Sequence, residues 1–148
     1  MTWVVVALIP PIGHAAWALA RSTGEVDSAS PVAISLAAAL LEVSLFVGLV
    51  FAVLAAARLN GTRLPLLTVV RPLAWAQAPA ALYFLGLVPA ITYFMPLLPL
   101  VLAARVGMSV RAAIRIARLS SAVAVTAVIL GSAAGVLFGF AAASLMYS

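Results

Sequence analysis

The chain has 148 residues, 67% of them hydrophobic and 7% charged, with a mean hydropathy of +1.30 and a formal charge of +5 at pH 7. So few charges cannot cover a water-soluble domain of this composition, so a bilayer is expected to be the solvent for most of its surface. The basic balance does not point to nucleic acid: the arginines flank long apolar runs, where membrane orientation and anionic headgroups account for them.

The absence of cysteine excludes disulfides, thiolate metal sites and cysteine nucleophiles. Every basic residue apart from His14 is arginine, and alanine is abundant. That composition suggests a GC-rich bacterial genome, and with it the bacterial cytoplasmic (inner) membrane.

A first span is expected at about 2–20. Ala18-Leu19-Ala20 resembles a small-residue cleavage site, but no basic residue precedes the apolar run and Pro10, Pro11 and His14 interrupt it. An uncleaved span is therefore expected. A polar loop with Arg21, Glu25 and Asp27 follows, and Pro31 is placed to open the second span at about 32–57. Its one charged residue is Glu42.

Arg58, Asn60, Gly61 and Arg63 mark a turn, after which Leu66 to Leu73 is read as interfacial. The stretch from Trp75 to Arg105 is apolar and carries Pro79, Pro89, Pro96 and Pro99. It predicts a proline-rich hairpin, with a third span near 74–90 and a fourth near 93–106, kinked or re-entrant because lipid cannot replace lost backbone hydrogen bonds. Ser109 is read as the N-cap of a short interfacial helix from Val110 to Leu119. Arg111, Arg115 and Arg118, spaced by four and three, are expected on one face of it as a headgroup or cytoplasmic surface. A fifth span is expected at about 121–146. The reading is an all-α integral membrane protein, one polytopic domain over 1–148 with about five transmembrane helices.

Seven of the eight basic residues fall in the windows 58–71 and 105–118. With five spans both windows face one side, so the positive-inside rule puts the N-terminus in the cytoplasm and the C-terminus outside.

Glu42, near the middle of an apolar span, is the main polar candidate, because an ionised group there must be paired or hydrated. It reads either as a protonatable coupling group or as a structural acid bonded to a neighbouring helix, through Gln77, Tyr83 or Tyr93. His14 is a weak candidate for cofactor ligation, for pairing with Glu42, or for satisfying carbonyls freed by the nearby prolines. Ala127, Gly131, Gly135, Gly139 and Ala143 form a small face at every fourth position, suited to close helix packing within the chain or with another copy. Trp75 reads as an interface anchor. Paired carboxylates, metal-spaced ligands, a phosphate loop and a nucleophile elbow are all missing from the sequence, so no enzyme activity, metal or cofactor is expected.

Residues of about 50–130 resemble the membrane domain of the Yip family, the Ypt/Rab-interacting proteins and their bacterial relatives. The resemblance rests on Gly61 in a short loop after a long span, the basic approach Leu66 to Arg71, the segment Trp75-Ala-Gln-Ala-Pro79, Val88-Pro89, and the Met108-Ser109-Val-Arg111-Ala112 segment before the last span. It implies five spans with a cytoplasmic N-terminus, and it supplies no catalytic residues. The expected function is a non-enzymatic structural or adaptor role, with lipids, other membrane proteins or further copies of the chain as partners. The alternatives are a small ion- or proton-coupled transporter component using Glu42, and an accessory subunit of a respiratory or photosynthetic complex.

Overall fold

The computed structural model describes residues 2–22, 30–87 and 97–145. The described residues are helical apart from their short connections, in the order α1 (Thr2–Ser22), α2 (Pro31–Leu59), α3 (Leu66–Trp75), a 3-10 segment (Ala78–Leu87), α4 (Leu97–Ala117) and α5 (Ser121–Ser144). The expectations for Glu25, Asp27, Pro89, Tyr93, Pro96 and the end of the fifth span at Met146 lie outside the described residues, as do the side chains of Arg21 and Tyr83.

Local chemistry sets the helix ends. Ser30 caps α2 by accepting from the Ala33 N–H at 3.2 Å, and Pro31 occupies the first turn, where its missing donor costs nothing. At the other end the Gly61 N–H bonds the Arg58 carbonyl at 3.0 Å and the Thr62 N–H bonds the Ala57 carbonyl at 2.9 Å. This closing pattern needs a left-handed residue, and Gly61 supplies it with φ of 76°. Ser120 caps α5 through the Val123 N–H. Between α4 and α5 only three residues intervene, and Arg118 takes a left-handed φ of 50° to end α4.

Helices α2 and α5 are both long and apolar enough to cross a membrane. At 1.5 Å per residue they measure about 43 and 36 Å. They pack antiparallel along the small face of α5. A Cβ built on Gly131 would lie 2.8 Å from the Gly48 carbonyl oxygen, one on Gly135 2.5 Å from Leu45 Cα, and one on Gly139 3.0 Å from Leu41 Cα. Gly48 answers from the α2 side, its Cβ position lying 2.4 Å from the Gly131 carbonyl oxygen. The small face therefore packs against α2 of the same chain, backbone on backbone, with Ala127 buried and Ala143 half-buried at its ends.

The hairpin has a different register from the expected one. The segment 66–87 runs antiparallel to α4: Val69 and Leu73 share a core with Ala113 and Ala117, Gln77 meets Ser109 and Arg105, and Ala80 packs on Val101. The third segment thus starts at Leu66 rather than near 74, and Leu66 to Leu73 is a packed helix with Val69 and Leu73 fully buried. It changes from α to 3-10 geometry at Ala76-Gln77, because Pro79 has no N–H for the Trp75 carbonyl and bars Ala78 from α geometry. The fourth segment does not stop near 106. Helix α4 runs unbroken from Leu97 to Ala117, with Pro99 tolerated in its first turn. Ser109 lies inside it, so the short helix expected from Val110 does not exist separately.

The apolar core joins the C-terminal half of α2 to α3, the end of α4 and the start of α5. Elsewhere the outer surface stays apolar, with Phe138 77% exposed and Phe51 65% exposed.

Gly135→Ala should destabilise the protein by about 1–3 kcal/mol, because the added methyl meets backbone that cannot yield. Gly107→Ala, in α4 with open space around it, should be neutral or slightly stabilising. Thermal unfolding in detergent, followed by circular dichroism, reads both; equal melting of the two variants would refute the packing account.

Candidate functional site

The site grows from the buried stripe of α4. Val101, Arg105, Ser109, Ala113 and Ala117 are all buried, at a spacing of four that keeps them on one helix face. Arg105 is therefore turned inward. Arg111 and Arg115 stand on another face and are exposed, as is Arg118 beyond the helix end. Within the 105–118 window, then, Arg105 is buried while Arg111, Arg115 and Arg118 are exposed.

Opposite Arg105 stands Glu42 of α2, 5% exposed against 3% for the arginine. The guanidinium grips the carboxylate in bidentate fashion: Nη2 donates to Oε2 at 2.7 Å and Nη1 to Oε1 at 3.1 Å. Its Nε donates to Gln77 Oε1 at 2.7 Å. Planar, two-pronged pairing of this kind is the strongest a carboxylate makes with a side chain, and it fixes orientation as well as distance.

Gln77 is held in turn. Its Nε2 donates to the Leu73 carbonyl at 3.3 Å and reaches Ser109 Oγ at 3.5 Å. The Leu73 carbonyl lies in the last turn of α3, so the glutamine side chain helps satisfy a helix end that is itself buried. Ser109, expected as an N-cap, instead supports this amide from the interior of α4. Trp75, read as an interface anchor, is exposed and lies two residues before Gln77 in the chain.

From α1, His14 Nδ1 approaches Glu42 Oε1 at 3.2 Å. A carboxylate gripped by a guanidinium accepts hydrogen bonds and does not donate them, so His14 meets it through a protonated Nδ1. Of the readings open for His14, this contact is the pairing with Glu42 across helices. The cluster therefore draws on α1, α2, the α3 end and α4. Among the described residues no buried side-chain nitrogen or oxygen lacks a hydrogen-bond partner.

Sequence reasoning singled out Glu42, Gln77 and His14, and the structure brings all three together. Gln77 touches Arg105 rather than Glu42 directly, and the side chain of Tyr83 and the whole of Tyr93 fall outside what is described. The residue missed was Arg105. The signal that could have found it is the four-residue stripe through Val101 and Ser109, since Arg111 lies about 240° further round the helix.

Chemically the cluster is a closed charge lock between two helices. Removing one partner leaves an uncompensated buried charge, a loss of about 3–5 kcal/mol, whereas removing both costs less than the sum of the two. Glu42→Leu and Arg105→Leu should each lower stability strongly in detergent unfolding, and the double variant should recover part of the loss. His14→Ala should have a smaller effect, since His14 is half-buried and leaves the bidentate pair intact. Additive losses in the double variant would show that the two residues do not act as a pair.

Compared with protein families, curated proteins and solved structures, the chain matches no family model, no curated protein and no solved structure.

Proposed function

We propose that this chain is a five-pass protein of the bacterial cytoplasmic membrane with a non-enzymatic structural or adaptor role, Yip-like in its membrane domain. The observation that carries the reading is the closed Glu42–Arg105–Gln77 lock. Its buried polar atoms have hydrogen-bond partners inside the chain, so the surfaces left for partners are the apolar outside of the bundle and its arginine-bearing end. Besides α2 and α5, three further segments have crossing length in this reading: α1, the 66–87 segment and α4, each about 30–35 Å long. Internally satisfied polar groups with an apolar exterior suit lipid surroundings.

The antiparallel register also supports the orientation. Asn60 and Leu59 lie beside Ala122 and Val123, so the 60–65 loop and the α4–α5 link share one end of the bundle. Arg58, Arg63, Arg115 and Arg118 gather there, which the positive-inside rule assigns to the cytoplasm.

A second reading has its own support. His14 beside the ion pair, next to a broken helix, resembles the polar, discontinuous elements through which coupled transporters carry protons or ions. In that reading Glu42 is the coupling group.

Because the chain has no cysteine, single replacements report topology cleanly. Thr62→Cys and Ser120→Cys should be protected from a membrane-impermeant maleimide in intact cells, and Ser28→Cys should react. Opposite behaviour of residues 62 and 120 would rule out five crossings with both arginine windows on one side. For the role itself, purification in mild detergent at native expression should bring a stoichiometric membrane-protein partner. A lone homo-oligomer with proton flux in liposomes, abolished by Glu42→Gln, would establish the transporter reading instead.

A further inference from the structure

Among the described residues the arginine-bearing end has no acid to pair with: the one described acidic side chain, Glu42, is engaged by Arg105. Arg58, in the last turn of α2, and Arg63, in the following loop, line a cavity with Gly61 and Leu64. The position of a Gly61 Cβ has nothing within 4 Å, so no side chain obstructs the cavity at that point. The C-terminus of α2 carries a partial negative charge of about half a unit, which two full guanidinium charges exceed. The closing turn also occupies carbonyls there: those of Ala56, Ala57 and Arg58 accept from Asn60, Thr62 and Gly61.

Arg58 belongs to a second cavity as well. This one runs along α2 and is lined by Phe51, Leu54, Ala55 and Leu59. These residues recur at helical spacing, so the apolar groove runs about 12 Å along α2 and includes Arg58. Ala55 and Leu59 also border another apolar groove between α2 and α5. A charged cavity and an apolar groove that share Arg58 match an amphiphile with an anionic head.

We propose that the C-terminal end of α2 binds an anionic phospholipid, its phosphate on Arg58 and Arg63 and an acyl chain in the groove from Phe51 to Leu59. The proposal rests on the membrane reading above. The arginines supply charge-assisted hydrogen bonds to the phosphate oxygens, and the groove sets a lipid apart from a free anion.

The test titrates the full-length protein in detergent with phosphatidylglycerol, phosphatidylcholine or inorganic phosphate, read by native mass spectrometry. Wild type should prefer phosphatidylglycerol, and Arg58→Gln with Arg63→Gln should weaken that binding about thirtyfold, at about 1 kcal/mol per arginine. Arg111→Gln with Arg115→Gln removes equal charge from the same end and should keep the preference. Ala55→Trp, which fills the groove, should weaken lipid binding while leaving the arginines in place. Equal losses in the two arginine pairs would reduce the effect to general surface charge and overturn the proposal. Phosphate binding as tight as lipid binding, with Ala55→Trp silent, would overturn it in favour of a free-anion site. Circular dichroism confirms that each variant is folded. Flotation with neutral phosphatidylcholine vesicles separates the two failures: no association would remove the membrane reading and the lipid site together, whereas association without a phosphatidylglycerol preference would remove the lipid site alone.

Discussion

The pairing of Arg105 with Glu42 is the constraint around which the other elements are arranged. A buried charge is tolerated only with an opposite charge in good geometry and its remaining donors and acceptors used. That requirement holds α4 against α2 in a single register. The third segment breaks beside this pair: Pro79 leaves the Trp75 carbonyl without its α-helical donor, and Gln77 at the break steadies the arginine through Oε1 and the last turn of α3 through Nε2.

A second kind of contact holds the other long helix. Helices α2 and α5 approach until backbone meets backbone at Gly48, Gly131 and Gly135. Such packing gains dispersion energy and needs no water to drive it, as association between helices in lipid demands. The two mechanisms divide the molecule. The dry glycine face fixes α5 on one side of α2, and the polar cluster ties α1, α3 and α4 together through Glu42. With α2 serving both, two of its faces are committed, and the face left outside is apolar, with Phe51 and Leu59 exposed.

That division bears on function. A lock whose polar atoms are mutually satisfied acts on shape, and the reading we favour assigns the working surfaces to the exterior. The arginine-bearing end differs in kind: its charges are exposed, and among the described residues the one carboxylate side chain, that of Glu42, is bonded to Arg105 instead. The same residue type thus has two roles, set by whether the side chain turns toward Glu42 or toward the solvent-facing end.

Composition and periodicity alone indicated that the chain is helical, that Pro31 opens the second helix and Gly61 lies in the turn after it, that Glu42 is exceptional, and that α5 carries a small face. These properties are local: capping, left-handed turns and apolar runs depend on neighbours a few residues away. Tertiary structure decided the rest. Arg105 and Arg111 are the same residue six positions apart, and only the helix packed against α4 makes one a buried partner and the other a surface charge. Ser109 has good capping chemistry, yet its hydroxyl is used from inside a helix because Gln77 lies opposite. The glycine face states that something must come close without stating what. Charges and small side chains say what kind of contact they need, but the partner is chosen by the register between segments far apart in the chain, which no local pattern encodes.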